Sequence, residues 1–272
     1  MSFSPGPDPV PGIVAALRAA GCVFAEDEAR LLISSAVSPA DLDAMVRRRA
    51  TGEPLEAILG WAEFCGLRIA VTPGVFVPRR RTEFLAAQAI ALALGRPAGD
   101  PVVVVDLCCG SGAVAAAVLA AIDRVDVYAT DIDPTAVRCA AGNIGAGGRV
   151  YQGDLYQPLP ASLRGRVDVL VANAPYVPTE EIGMLPAEAR AYESHVALDG
   201  GPDGLDVVRG VIAEAPAWLA PGGSLLVETS QRQAPAACVA LTQCGLAART
   251  EHSKEIGATI AVGTRANRAV FG

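Results

Sequence analysis

Apolar residues change their spacing along the chain, and each change predicts a different kind of element. Ile13 to Ala20, Glu26 to Ala36 and Pro39 to Ala50 carry helical patterns. Ser38 is a plausible N-cap for the third, with Pro39 at its first position and Asp41 in its first turn. Thr51-Gly52-Glu53-Pro54 closes this stretch, so residues 1–54 read as a small helical N-terminal domain. Residues 1–11, with four prolines, are expected to be disordered. From Phe64 through Leu67, Ile69, Val71 and Val75 to Val77 the apolar positions partly alternate around Gly66 and Pro73-Gly74. That predicts a β-hairpin linker over 55–80. A helix over Thr82 to Leu94 and a loop over 95–101 follow.

From residue 102 onward, apolar runs alternate with helical stretches. Strands are expected near 102–107, 125–130, 149–152, 167–172, 223–229, 246–250 and 258–264, and helices near 112–122, 134–143, 204–219 and 231–242. The alternation predicts an α/β fold, a mostly parallel sheet of seven strands covered on both faces, over 81–272. No helix separates the last two strands, so they are expected to form an antiparallel hairpin. Residues 177–203 show no period. A long irregular insertion directly after a strand end is expected to act as a lid or substrate loop.

Composition narrows the function classes. Hydrophobic residues make up 51% of 272, enough for a sizeable core. A net charge of −7 argues against a protein that grips a nucleic acid duplex along its phosphates. The seven cysteines form no C-x-x-C pair, and with only two histidines no zinc-ligand spacing appears. Reduced thiols and a cytoplasmic location are expected. No run is long and apolar enough to span a bilayer.

Two features, both at strand ends, carry the candidate chemistry. The run Val102 to Val105 leads into Asp106-Leu107-Cys108-Cys109-Gly110-Ser111-Gly112 and then an alanine-rich helix. Glycines there let the backbone approach a ligand, and the helix start supplies N–H groups. The next strand ends at Asp131, at the spacing of about 20 residues where an acid can take both ribose hydroxyls of a nucleotide. Asp133, before Pro134, reads as a helix N-cap. A third strand end carries Asp154 and Leu155, suited to an adenine amino group and ring face. This spacing fits NAD as well as S-adenosylmethionine; Ala115 stands where the dinucleotide fingerprint wants glycine or alanine.

The second feature is more specific. Val167 to Ala172 runs directly into Asn173-Ala174-Pro175-Tyr176. A polar amide at the end of a buried strand, then a proline-stiffened corner and an aromatic, is poor core material. It suits a slot for a flat, weakly nucleophilic amino group. Together the two strand ends point to methyl transfer from S-adenosylmethionine to a planar nitrogen.

Over about residues 55–264 the chain resembles the protein-(glutamine-N5) methyltransferases that modify translation release factors. The resemblance rests on Phe64-Cys65-Gly66-Leu67, Pro78-Arg79, Thr82-Glu83, the Asp106 to Gly112 turn, Asp131, Asp154 and the Asn173 corner. It continues through Ala197-Leu198-Asp199-Gly200-Gly201-Pro202-Asp203-Gly204-Leu205 and Leu219-Ala220-Pro221-Gly222-Gly223. It implies a Rossmann-like class I methyltransferase sheet with a helical substrate-recognition domain at the N-terminus. The implied donor is S-adenosylmethionine and the implied partner a protein carrying a glutamine, a release factor or another protein. Asp106, Cys108, Gly110, Gly112, Asp131, Asp154, Leu155 and Asn173 are then the cofactor-binding residues, and Asn173, Ala174, Pro175 and Tyr176 the catalytic corner. Ala174 departs from the family's proline, a loss of rigidity worth about 0.4–1 kcal/mol. Cys108 replaces a glycine, Arg80-Arg81 a proline-acid pair, and Ser194 a proline. The Arg47-Arg48-Arg49 and Arg79-Arg80-Arg81 clusters read as solvated faces, with contact to an acidic partner as the other reading, and His195 as a surface residue. Two alternatives stay open: a nucleic-acid amino-methyltransferase, which shares the corner, and a donor-binding protein without catalysis.

Overall fold

The computed structural model describes residues 10–97 and 99–267, without the side chains of 187–189. Most of the segment expected to be disordered lies outside the described residues. Its last two residues begin helix α1 (Val10–Ala19), three residues earlier than the apolar pattern suggested. Helices α2 (Ala25–Ser35) and α3 (Pro39–Ala50) follow, and Ser38 caps α3 by accepting the Asp41 amide at 3.1 Å. A short helix, α4 (Leu55–Leu59), had no sequence signal. Its Ile58 packs with Leu17, Ala25, Leu32 and Met45 in a core separate from that of the sheet.

Strands β1 (Trp61–Phe64) and β2 (Leu67–Ala70) form the expected antiparallel hairpin. Cys65 and Gly66 sit at φ 51° and 73°, as a two-residue turn between right-twisted strands requires. Asn143 pins this hairpin to the first ligand loop. Its amide nitrogen donates to Ala70 O at 2.9 Å and to Ser111 O at 2.8 Å, and its oxygen accepts Ala70 N at 2.9 Å.

The remaining elements are α5 (Thr82–Leu94), β3 (Val102–Leu107), α6 (Ala113–Ala121), β4 (Val125–Asp131), α7 (Pro134–Ile144), β5 (Gly148–Gln152), β6 (Val167–Ala172) and α8 (Ala187–Tyr192). They are completed by α9 (Asp206–Trp218), β7 (Leu219–Glu228), α10 (Ala234–Gln243), β8 (Ala247–Ser253) and β9 (Ala258–Thr264). The seven-stranded sheet has the order β5-β4-β3-β6-β7-β9-β8. Only β9 runs against its neighbours, and it inserts between β7 and β8. Within each strand, alternate residues serve opposite cores. Val104, Val169, Val171 and Leu226 pack beneath α5, α6 and α7, while Val105, Leu170, Leu225 and Val227 pack beneath α9 and α10. Burial on both faces explains why the strands read as unbroken apolar runs. β7 starts at Leu219, earlier than the expected 223, because Pro221-Gly222-Gly223 is carried inside the strand, beside a register irregularity between Val167 and Val169.

The chain order reverses at β3, which pairs with β4 on one side and β6 on the other. A crevice opens outside the carboxyl ends of strands at such a switch point. All the strand-end residues singled out in the sequence lie there.

Candidate active site

A cleft of about 600 Å³ opens above β3, β4, β5 and β6, within the range of small-molecule sites. At one end stand the acids of three successive strands. Asp106 is 3% exposed, and its Oδ2 accepts the Ala115 amide at 3.2 Å, capping the start of α6 from the preceding strand. Burial pushes its carboxyl up to about 7, opposed by that hydrogen bond. Asp131 takes Gly110 N on Oδ2 at 2.8 Å and Asp133 N on Oδ1 at 3.0 Å. Burial also raises its pKa. Each of its oxygens keeps a second lone pair for a ligand hydroxyl. Asp133 caps α7 through Thr135 N at 2.7 Å, as the sequence indicated.

The turn backbone is shaped around open space. Cys108 and Gly110 both have left-handed φ, 55° and 54°, and a Cβ built at Gly110 meets no protein atom within 4 Å. The volume a side chain would take is therefore cleft. Gly112 is different: a Cβ there would lie 3.0 Å from Ala140 Cβ, so this glycine lets α6 approach α7, and it does not line the cleft. Leu155, at φ 45°, is fixed by the Thr130 hydroxyl, which donates to its carbonyl at 2.9 Å. Asp154 lines the same end.

At the other end β6 delivers the Asn173-Ala174-Pro175-Tyr176 corner, every residue of which lines the cleft. The Asn173 side-chain nitrogen donates to the Thr82 hydroxyl at 3.3 Å. Oδ1 is thereby left as the atom able to accept. Ala174 is 1% exposed, and among the described residues no hydrogen bond takes up its carbonyl. Burial pushes the Tyr176 hydroxyl up to about 12, with Glu228 adding to the rise, so it stays protonated. The end of the insertion packs by backbone onto the residue that follows the corner: Val177 N donates to Leu198 O at 3.1 Å and Gly200 N to Val177 O at 2.9 Å. Gln233 Nε2 donates to Tyr176 O at 2.9 Å and to Asp203 O at 3.0 Å, tying β7–α10 to the same turn.

The arginine cluster corrects the sequence reading of a solvated face. Arg79 pairs with Glu193 and Arg81 with Glu228, carboxylates whose side chains are each only 3% exposed. Arg81 also donates to the Tyr176 hydroxyl, and both arginines line the cleft. Arg80 is exposed, and His195 lies on the surface 3.8 Å from Asp199. Thr82, Glu193, Glu228 and Gln233 were not singled out as site residues. Each is one polar residue in an ordinary local pattern, and each meets its partner across 57 to 147 positions of chain. The insertion itself holds two 3-10 turns, Thr179–Met184 and His195–Ala197, around α8. No group of three or more His, Cys, Asp or Glu able to hold a metal occurs among the described residues.

The sequence pattern of the Methyltransferase small domain family matches residues 67–189. A solved methyltransferase from Pyrococcus furiosus superposes with a TM-score of 0.55 at 17% identity, covering 84% of this chain and 99% of that one, which shows the fold. A 4-amino-L-phenylalanine/4-methylamino-L-phenylalanine methyltransferase from Streptomyces pristinaespiralis is 38% identical over 77% of each chain. The release factor glutamine methyltransferase of Geobacter sulfurreducens is 40% identical over 73% of this chain and 69% of its own length. Relatives of that name from Streptomyces coelicolor and other bacteria match at similar identity, and the chain belongs to the release factor glutamine methyltransferase family.

Proposed function

We propose that this protein transfers a methyl group from S-adenosylmethionine to the side-chain amide nitrogen (N5) of a glutamine in a translation release factor. The family supplies the reaction class; the observation that carries the reading is the Asn173 corner. Its amide nitrogen is occupied by Thr82, which leaves Asn173 Oδ1 and the carbonyl of the next residue, Ala174, as two acceptors.

The donor end fits an adenosyl group. Asp131 is already oriented by two backbone amides and retains lone pairs for ribose hydroxyls, and the space over Gly110 is open. Asp154 and Leu155 line the same end and are available to a purine edge and face. When bound, S-adenosylmethionine supplies an electrophilic methyl on a sulfonium.

What the chain must contribute follows from the chemistry of a carboxamide. Its nitrogen lone pair is delocalised, and it is not usefully deprotonated near neutral pH. Catalysis then comes from alignment and from acceptors for the two N–H bonds. Asn173 Oδ1 takes one and Ala174 O the other. As the nitrogen gains positive charge, both bonds strengthen. Pro175 and Tyr176 shape the slot, and the neutral Tyr176 ring borders the planar amide. No general base is required, since the proton can leave after transfer.

In this reading residues 1–54 are the substrate-recognition domain, 55–80 the linker and 81–272 the catalytic domain, in the cytoplasm. Among the described residues no helix is long and apolar enough to cross a membrane. Net charge −7 favours a protein acceptor over a nucleic acid. The test is incubation of the purified protein with S-adenosylmethionine and a release factor, followed by peptide mapping. One added methyl on a glutamine side chain is the expected result. Methyl transfer to nucleic acid or to a free aromatic amine, with the release factor unmodified, would refute it.

A further inference from the structure

Tyr176 ends the corner and lines the cleft together with Asn173, Ala174 and Arg81. Its hydroxyl makes one hydrogen bond among the described residues, and the direction of that bond is fixed: Arg81 Nη2 donates to it. A guanidinium has nothing to accept with, so the Tyr176 oxygen receives and its own proton is left over. No acceptor among the described residues takes that proton. The buried carboxylate of Glu228 gives Oε1 to Arg81 Nε at 3.1 Å, and its Oε2 has no hydrogen-bond partner among the described residues. The Arg81 guanidinium also lies 5.6 Å from the Tyr176 ring centroid, so the same side chain holds ring and hydroxyl. Tyr176 is half-buried, and its spare proton is available to whatever occupies the cleft.

We propose that the Tyr176 hydroxyl is a specificity-determining group of the acceptor slot: it donates its free proton to the carbonyl oxygen of the carboxamide whose nitrogen is held by Asn173 Oδ1 and the Ala174 carbonyl. The inference deepens the reading of the slot as a glutamine site and rests on it. A carboxamide presents two N–H donors and one carbonyl acceptor. The two oxygens satisfy the donors, and a phenol satisfies the acceptor. An amine on an aromatic ring has no carbonyl to offer, and would leave the phenol proton unpaired. Arg81 Nη1 also has no partner among the described residues. A charged donor on the carbonyl, however, would hold the nitrogen lone pair in the C–N bond and oppose methylation. A neutral phenol opposes it less, and burial keeps this phenol neutral.

The chemistry also fixes which kinetic constant responds. As nitrogen takes the methyl, amide resonance is lost and the carbonyl oxygen loses negative charge. A hydrogen bond to that oxygen is stronger in the bound substrate than in the transition state, so it serves binding and not turnover. Tyr176→Phe keeps the ring and removes the hydroxyl. KM for the release factor should rise about 3- to 10-fold, with kcat equal to wild type or up to about twofold higher, and the dissociation constant of S-adenosylmethionine unchanged. A merely structural role would lower kcat instead. Unchanged KM, or a fall in kcat at unchanged KM, would overturn the inference. Arg81→Met tests the same bond from its other side, should Tyr176→Phe not fold. Alone it should raise KM about two- to fivefold without lowering kcat, and a fall in kcat at unchanged KM would again overturn the inference. In a Tyr176→Phe background it should add less than about twofold, because no hydroxyl remains to be held. Additive losses would show that Arg81 itself grips the carbonyl, and would overturn the inference. Wild type separates the two readings. If it leaves the release factor unmethylated, the proposed function falls and this inference with it; if it methylates the glutamine and the variants fail as described, this inference falls alone.

Discussion

At Gly204 a Cβ would lie 2.3 Å from the Tyr176 carbonyl oxygen, and at Gly200 one would lie 2.7 Å from the Pro175 oxygen. Gly200 and Gly204 are therefore the space into which the corner's own backbone fits. Gly204 also sits at φ 75°. Gly204→Ala is expected to cost about 1–3 kcal/mol in denaturant unfolding, and to lower kcat by displacing Tyr176. A variant with wild-type kcat would show that the contact does not hold the corner. Asp106 gives a prediction with a definite sign. Its folded pKa, near 7, exceeds the ordinary value of 3.8. The folded state thus binds the proton more tightly, and this contribution to stability is complete below the unfolded pKa and lost as pH rises through the folded one. Asp106→Asn lacks that loss. Its stability relative to wild type should rise between pH 4 and 7, measured by urea unfolding across that range. A constant difference would contradict the burial argument. At this scale the sequence showed which strand ends carry acids, because an Asp after four valines is conspicuous. It did not show that Asp106 caps α6 or that Gly112 serves helix packing, since both depend on where α6 and α7 are set down.

Among elements, the periodic ones were readable and the paired ones were not. Alternating runs and helices located β3, β4, β6 and α5 closely, because burial on both faces leaves a continuous apolar signature. Helix α4 spans only Leu55–Leu59, too short to establish a period. The insertion gave no pattern because isolated backbone bridges organise it, Val177 to Asp199 within it and Glu193 to Gly74 of the segment before α5, and these bridges are indifferent to side-chain identity. The links between elements lie in single polar side chains. Asn143 of α7 is the clearest, joining β2 to the Ser111 loop by three hydrogen bonds. Asn143→Ala should cost about 1–3 kcal/mol by leaving those backbone groups without their partner. It should also weaken donor binding, measured by titration calorimetry, by loosening the loop that carries Gly110. Unchanged affinity would show that the hairpin does not support the donor site.

For the molecule as a whole, the sheet domain carries the donor end and the slot, while the helical unit has its own core and reaches the cleft through Pro54 and Glu56. That unit exposes Val23 at 82%, Phe24 at 69% and Val37 at 91%, large apolar side chains at the turns flanking α2. Contiguous exposed apolar patches mark interaction surfaces, and Val23 and Phe24 are neighbours in the chain. If they meet the protein substrate, Phe24→Asp should raise KM for a release factor severalfold while leaving donor affinity unchanged; an unchanged KM would place docking elsewhere. Composition could indicate a protein acceptor through net charge, but not the face it meets, because exposure is a property of the assembled helices. The central claim remains that two adjacent oxygens, one from Asn173 and one from Ala174, grip the amide that receives the methyl. The most direct measurement is single-turnover methyl transfer by Asn173→Ala at saturating donor, alongside its donor dissociation constant. A rate lower by about 10²–10³-fold, with donor affinity within a few fold of wild type, is expected. Transfer at the wild-type rate would contradict it.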